Sequence, residues 1–297
     1  MSEQPPAFSV RGLSKKYPGF TLGPLDLDLE PGRVLGFVGP NGSGKTTTLH
    51  CMIGLQVPDA GRVEICGRAN GPEDVVWRQE VGFVGDEQGF WADWTVARNL
   101  AVVGSFQPRW SAARVRELAR RFELPLDHKV KTLSRGNRAK LALVAALGHA
   151  PRLLLLDEPT AGLDPVVRAE VLDVLWEVLE DEGRAIFYST HVLSDIARLA
   201  DELVFLRDGR VLQRSVKDEL VEAWRRVSFR LATEALALPG VVSARQVRAE
   251  HQVITCDHEA TLAAVRELGA ESIEVSRLSV DEIAVEILKG RGHVDAR

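Results

Sequence analysis

The stretch Gly39-Pro40-Asn41-Gly42-Ser43-Gly44-Lys45-Thr46 fits the pattern G-x-x-x-x-G-K-[ST]. It lies between an apolar run, Arg33 to Val38, that reads as a buried parallel strand, and a helical pattern from Thr46 to about Gly54. Polyphosphate binding needs that order. Gly39, Gly42 and Gly44 let the backbone wrap phosphate closely, and Pro40, Asn41 and Ser43 complete the loop. The N–H groups at the helix start, with Thr46 and Thr47, face anionic oxygens. Lys45 reaches the β- and γ-phosphates, and the Thr46 hydroxyl can ligate Mg²⁺. A random chain of this length matches the pattern with a chance of only about 1%.

Downstream, Leu153-Leu-Leu-Leu-Asp157-Glu158 is an apolar strand ending in two carboxylates. An acid there, beside a phosphate loop, can hold Mg²⁺; that role falls to Asp157, and Glu158 becomes the general base that polarises the attacking water. His191 closes the predicted strand Arg184–Thr190. Ligands gather at the carboxyl ends of parallel strands, so His191 is placed to hydrogen-bond a γ-phosphate oxygen and the hydrolytic water.

The flanking pattern is α/β. Strands are predicted over Phe20–Leu29, Arg62–Ile65, Val81–Val84, Leu153–Leu156, Arg184–Thr190 and Glu202–Leu206. Helices are predicted over Trp110–Leu124, Leu141–Leu147 and Val166–Leu179. Their alternation predicts a mainly parallel sheet. After about Trp224 the pattern shifts to short strands (Val227–Leu231, Val241–Val247, Gln252–Cys256, Ser272–Val275), a helix near Glu259–Leu268 and a last helix capped by Ser279 with Glu282. We read residues 1–222 as the larger domain and 223–297 as a small α+β appendage.

Composition narrows the classes. A length of 297 residues, 45% hydrophobic and 27% charged, fits one large or two ordinary globular domains. Lys and Arg total 37 against 42 acids, a net charge of −5, which argues against a dedicated nucleic-acid binder. Three cysteines without metal-like spacing point to a reducing compartment. The longest apolar run, Leu141–Leu147, falls far short of the ~20 residues a membrane span needs.

Five linked motifs amount to a resemblance. The phosphate loop, Leu133-Ser134-Arg135-Gly136-Asn137, Leu156-Asp157-Glu158-Pro159-Thr160, Ala161-Gly162-Leu163-Asp164 and Ser189-Thr190-His191 occur in an order and spacing that resemble the nucleotide-binding subunit of ATP-binding cassette (ABC) transporters, over about residues 8–215. The resemblance extends to the branch whose ATPase chain is separate and pairs with exporter-type membrane subunits. It implies a P-loop NTPase fold of the ABC ATPase type, with a parallel core sheet, an antiparallel β subdomain and a helical subdomain. It implies ATP and Mg²⁺, and a head-to-tail dimer in which Ser134, Gly136 and Asn137 dock on the γ-phosphate held by the other subunit. Tyr17 occupies the place of the aromatic that stacks on adenine, a plain surface tyrosine being the alternative, and Asp164 resembles the residue that communicates across the dimer interface.

Two departures stand out. Arg135 and Asn137 replace the family's Gly and Gln in the signature. The family's Q-loop glutamine falls on Asp86, where a carboxylate can bind Mg²⁺, or Gln88 takes the role through a shifted loop. Residues 109–140 carry ten Lys or Arg against three acids, either a solvated face or an attraction to anionic lipid or an acidic partner. Trp91 and Trp94 fall where the family's membrane subunit docks, as contact residues or as core.

The expected function is ATP hydrolysis that powers transport, export in particular, through transmembrane subunits and a second ATPase subunit, at the cytoplasmic face of the membrane. A soluble ABC-type ATPase acting on nucleic acid or ribosomes is the rival. Against it, only 87 residues separate Lys45 from Leu133, without sustained heptads, and the chain has one cassette. A third option is a regulatory module whose appendage binds a small ligand or partner.

Overall fold

The computed structural model describes residues 4–71, 73–86, 89–231, 237–247 and 250–290, apart from the side chains of 180–182 and 247. From the N-terminus the chain forms β1 (Phe8–Tyr17), β2 (Phe20–Leu29), β3 (Val34–Val38), α1 (Lys45–Met52), β4 (Ala60–Ile65), β5 (Arg68–Ala69) and β6 (Val81–Val84). Three helices follow, α2 (Val96–Ser105), α3 (Ala112–Arg121) and α4 (Arg135–Leu147). Next come β7 (Leu153–Asp157), α5 (Pro165–Glu182), β8 (Ala185–Thr190), α6 (Leu193–Leu199), β9 (Glu202–Arg207), β10 (Arg210–Val216) and α7 (Lys217–Ala223). The last part holds β11 (Arg225–Arg230), β12 (Val241–Val247), β13 (Glu250–Thr255), α8 (His258–Glu267), β14 (Glu271–Arg277) and α9 (Val280–Leu288).

The central sheet has the order β10-β9-β3-β8-β7-β6, parallel from β9 to β6 with β10 antiparallel at one edge. Its inner strands are apolar on both faces because both are covered. Period two splits them: Val34, Val38, Leu156, Ile186, Tyr188 and Phe205 belong to the core shared with the helices. Leu35, Phe37, Leu155, Phe187, Val204 and Leu206 face a second core, closed by the antiparallel sheet β2-β1-β4-β5 and by α1. Most expected elements appear, but others differ. β1 was not among the predicted strands; two register shifts, between Val10 and Leu13 and between Leu13 and Lys15, break the period that would have shown it. β5, α2, α6, β10 and α7 were not predicted either, and α4 starts six residues before its apolar stretch.

The third sheet, order β12-β13-β11-β14, encloses a small core of Val227, Phe229, Val253 and Val265 under α8. α9 does not belong to it. Its stripe of Val280, Ile283, Ala284 and Ile287 joins the helical core of the first part, packed on α6 and β9. Arg207, at the end of β9, donates to the Leu288 carbonyl at 2.6 Å, and the adjoining turn is tied to the phosphate loop by Gly209 N–H donating to the Ser43 carbonyl at 3.0 Å.

The capping box of α9 is present in both directions: Ser279 accepts from Glu282 N–H, and Glu282 accepts from Ser279 N–H at 2.9 Å. That N–H, then Arg226 at 2.6 Å, hold the Glu282 carboxyl down at about 2. A carboxyl depressed in the folded state contributes above its unfolded value and loses that contribution as pH falls toward the folded one. The group is partly exposed and screened, so Glu282→Gln should cost up to about 1 kcal/mol at pH 7. The gap in melting temperature between variant and wild type should close as pH drops from about 5 to 2.

Candidate functional site

β3, buried along its whole length, delivers the chain to Gly39, whose N–H donates to the Thr190 carbonyl of β8 at 3.4 Å. The loop tolerates no side chain at its two tightest points. A Cβ at Gly39 would stand 2.3 Å from the Leu206 carbonyl oxygen, and Gly44 has φ +108 with Leu22 Cδ1 2.6 Å from where a Cβ would sit. Gly44 caps the start of α1, whose first turn has no acid, so no carboxylate of the helix competes for its N–H groups and the dipole's positive end. Ser43 Oγ is buried without a partner, Thr46 is exposed, Thr47 is half-buried, and Pro40, Asn41 and Gly42 are exposed. The buried Lys45 Nζ donates to the carbonyls of Gly39 at 2.7 Å and Pro40 at 3.3 Å, and lies 3.3 Å from Glu158 Oε1.

Asp157 ends β7 with 1% exposure. Its Oδ1 accepts from Ser189 Oγ at 2.9 Å, while Oδ2 has no partner. Burial pushes its carboxyl up, against the hydroxyls of Thr46 and Ser189, which pull it down. A buried anionic oxygen with an unfilled coordination beside a threonine hydroxyl fits a hard divalent cation. Glu158 sits at φ +50, its N–H donating to the Ser189 carbonyl. Its Oε2 is 2.9 Å from His191 Nδ1 and accepts from His191 N–H at 3.3 Å. Lys45, Glu158 and His191 therefore stand together.

The signature lies elsewhere. Ser134 caps α4 by accepting from Asn137 N–H at 3.1 Å, and a Cβ on the buried Gly136 would meet Val167 of α5 at 3.0 Å. Among the described residues no hydrogen bond or ion pair joins Ser134, Gly136 or Asn137 to the phosphate loop. The Arg135 guanidinium covers Gly162, and Asp164 caps α5 on Val166 and Val167 N–H.

Tyr17 is 36% exposed, its ring 6.5 Å from Phe20 and its hydroxyl donating to Gln56 Oε1. Asp86 is exposed and lines, with Glu158, Arg135 and Phe90, a cavity of about 670 Å³. Among the described residues no three His, Cys, Asp or Glu gather as a metal cluster, so Asp86 is not brought to Asp157 in such a group. Gln88 lies outside the described residues. Trp91 and Trp94 stack at 4.8 Å with Arg98 3.9 Å above Trp94, and Trp91 is 47% exposed, so neither fills the core. Part of the basic segment is neutralised by acids distant in sequence: Arg109 pairs with Glu80, Arg121 with Glu177, Lys131 with Asp93 and Lys140 with Glu170. Sequence reasoning missed Asp195, a buried carboxylate behind the site.

Comparison with known proteins agrees with this geometry. The family model described as ABC transporter matches residues 22–161. Nod factor export ATP-binding protein I of Ralstonia nicotianae is 35% identical over 227 residues, covering 73% of this chain and 69% of that protein. The Bacillus subtilis uncharacterized ABC transporter ATP-binding protein YdbJ is 33% identical over 209 residues, 69% of this chain and 68% of that one. Among solved structures, the ATP binding subunit of an ABC transporter superposes with a TM-score of 0.66 at 28% identity, over 73% of this chain and 92% of that one. A dimeric ATP-binding cassette in a post-hydrolysis state, bound to ADP and Pi, gives 0.64 at 25% identity, over 71% and 98%. By sequence and by fold this chain belongs to the ABC transporter family, as an ATP-binding subunit that hydrolyses ATP.

Proposed function

We propose that this chain powers export through separate membrane subunits, with two ATPase subunits closing over two Mg·ATP and reopening after hydrolysis. The observation that carries the proposal is the meeting of Lys45, Glu158 and His191 beside the glycine loop. The relatives named as export ATP-binding proteins support the direction, and no described helix is long and apolar enough to cross a membrane. In this reading, residues 1–222 are the ATP-binding domain and 223–297 an accessory α+β part.

Each residue then has a task. N–H groups of the glycine loop and of the start of α1 grip the phosphates, and Lys45 exchanges its carbonyl partners for the β- and γ-phosphates. Glu158 takes a proton from the attacking water, oriented by His191, which also reaches the γ-phosphate. Thr46 and Asp157 hold Mg²⁺, which supplies charge neutralisation at the phosphates. Ser134, Gly136 and Asn137 stand apart from their own loop and meet the nucleotide of the second subunit through the open N-terminus of α4. Tyr17 offers its ring to adenine. Asp86 takes the Q-loop place at the rim of the cavity it shares with Glu158. The adjoining cavity of about 360 Å³, lined by Phe83, Phe90, Val103 and Ala145, together with Trp91 and the 77%-exposed Phe106, is where a membrane subunit would seat, on the cytoplasmic face.

Glu158→Gln should lower ATP turnover by about 10²–10⁴ and accumulate an ATP-bound dimer on size exclusion; turnover at the wild-type rate would remove Glu158 as base. Asp157→Asn relieves a buried, half-partnered charge. In metal-free buffer it should leave stability unchanged or raise it by about 1 kcal/mol, while abolishing the gain in ATP affinity that Mg²⁺ gives, measured by titration with and without the metal. Pull-down of the tagged chain from detergent-solubilised membranes should bring a multi-span protein with it, and recovery of ribosomes or DNA instead would overturn the transport reading.

A further inference from the structure

Thr160 lies two residues beyond Glu158 and is fully buried. Its hydroxyl meets the Tyr188 hydroxyl at 2.9 Å and Asp195 Oδ2 at 2.5 Å. A threonine hydroxyl has one proton and a carboxylate only accepts, so Tyr188 donates to Thr160 and Thr160 donates to Asp195. Burial drives the Tyr188 phenol far above its ordinary range, which keeps it a donor. Asp195, 2% exposed, faces Arg168 Nη1 with its other oxygen at 3.6 Å.

These four side chains come from four segments. Thr160 follows β7, Tyr188 belongs to β8 three residues before His191, Asp195 sits on α6 four residues after it, and Arg168 is on α5. One hydroxyl thus cross-ties the stretch that carries Glu158 to both sides of the stretch that carries His191. Glu158 needs such a tie. At φ +50 its backbone occupies a region that a non-glycine residue holds only when its surroundings impose it. A buried carboxylate with one hydroxyl and a guanidinium at 3.6 Å is also a poor device for packing alone, since apolar residues fill such space without desolvating a charge.

We propose that Asp195 is a positioning residue for ATP hydrolysis: through Thr160 it fixes Glu158 against His191, so that the carboxylate points at the attacking water. The inference rests on Glu158 being the base.

The test compares D195A, T160V and T160S with wild type and E158Q in the full chain, reading kcat and KM for ATP and the affinity for a fluorescent ATP analogue. A displaced catalytic group lowers the chemical step without weakening ground-state binding, so D195A and T160V should lose kcat by about 10- to 100-fold with KM and affinity within about twofold of wild type. T160S keeps the hydroxyl and should stay within about threefold in kcat. If D195A does not fold, T160V, nearly equal in volume to the native residue, decides. With E158Q inactive, wild-type kcat in D195A or T160V overturns the latch and leaves the base in place. So does a parallel loss of kcat and nucleotide affinity, or a T160S as slow as T160V. Wild-type turnover in E158Q instead overturns the reading beneath it.

Discussion

Parallel pairing of three neighbouring strands sets the geometry on which the site depends. β3, β8 and β7 lie side by side, with Val38 opposite Thr190 and Asp157 opposite Ser189. Adjacent strands stand about 4.8 Å apart, so a loop leaving β3 and a carboxylate leaving β7 are about 10 Å from each other, with the end of β8 between them. That span suits a nucleotide's phosphate tail. Because all three strands point the same way, their carboxyl ends open at one edge, and Lys45, Glu158 and His191 meet there without any long excursion of the chain.

The strands that build this edge were the most legible part of the sequence, because burial on both faces makes them continuous apolar runs. The phosphate loop was equally plain, since its glycines answer to local sterics and leave a local signature. What escaped is non-local. β1 slips register twice, and α4 begins with two turns of polar and charged residues whose helical state rests on Ser134 and on packing. The basic stretch from 109 to 140 read either as a solvated face or as an attraction to an anionic partner, and folding brings Glu80, Asp93, Glu170 and Glu177 to four of its bases. Asp195 sits in an unremarkable Leu-Ser-Asp-Ile, and only the fold reveals that its carboxylate points inward.

Charge at the site is arranged so that the resting chain satisfies itself incompletely. Lys45 borrows two backbone carbonyls and a glutamate, and Asp157 keeps one oxygen unmatched. Such provisional partners are exchangeable, and a ligand carrying phosphate and metal completes both shells at once.

The turn between β9 and β10 gives the far end of the chain a stake in this chemistry. Arg207, where β9 runs into that turn, holds the last helix by its carbonyl, and Gly209, two positions on, donates to the glycine loop. A protein trimmed back to its first two sheets would keep every recognisable motif and the Gly209 contact, yet lose α9, whose apolar stripe closes part of the helical core and whose last carbonyl anchors Arg207 at the mouth of that turn. The boundary that a motif search draws and the boundary of mechanical integrity do not coincide.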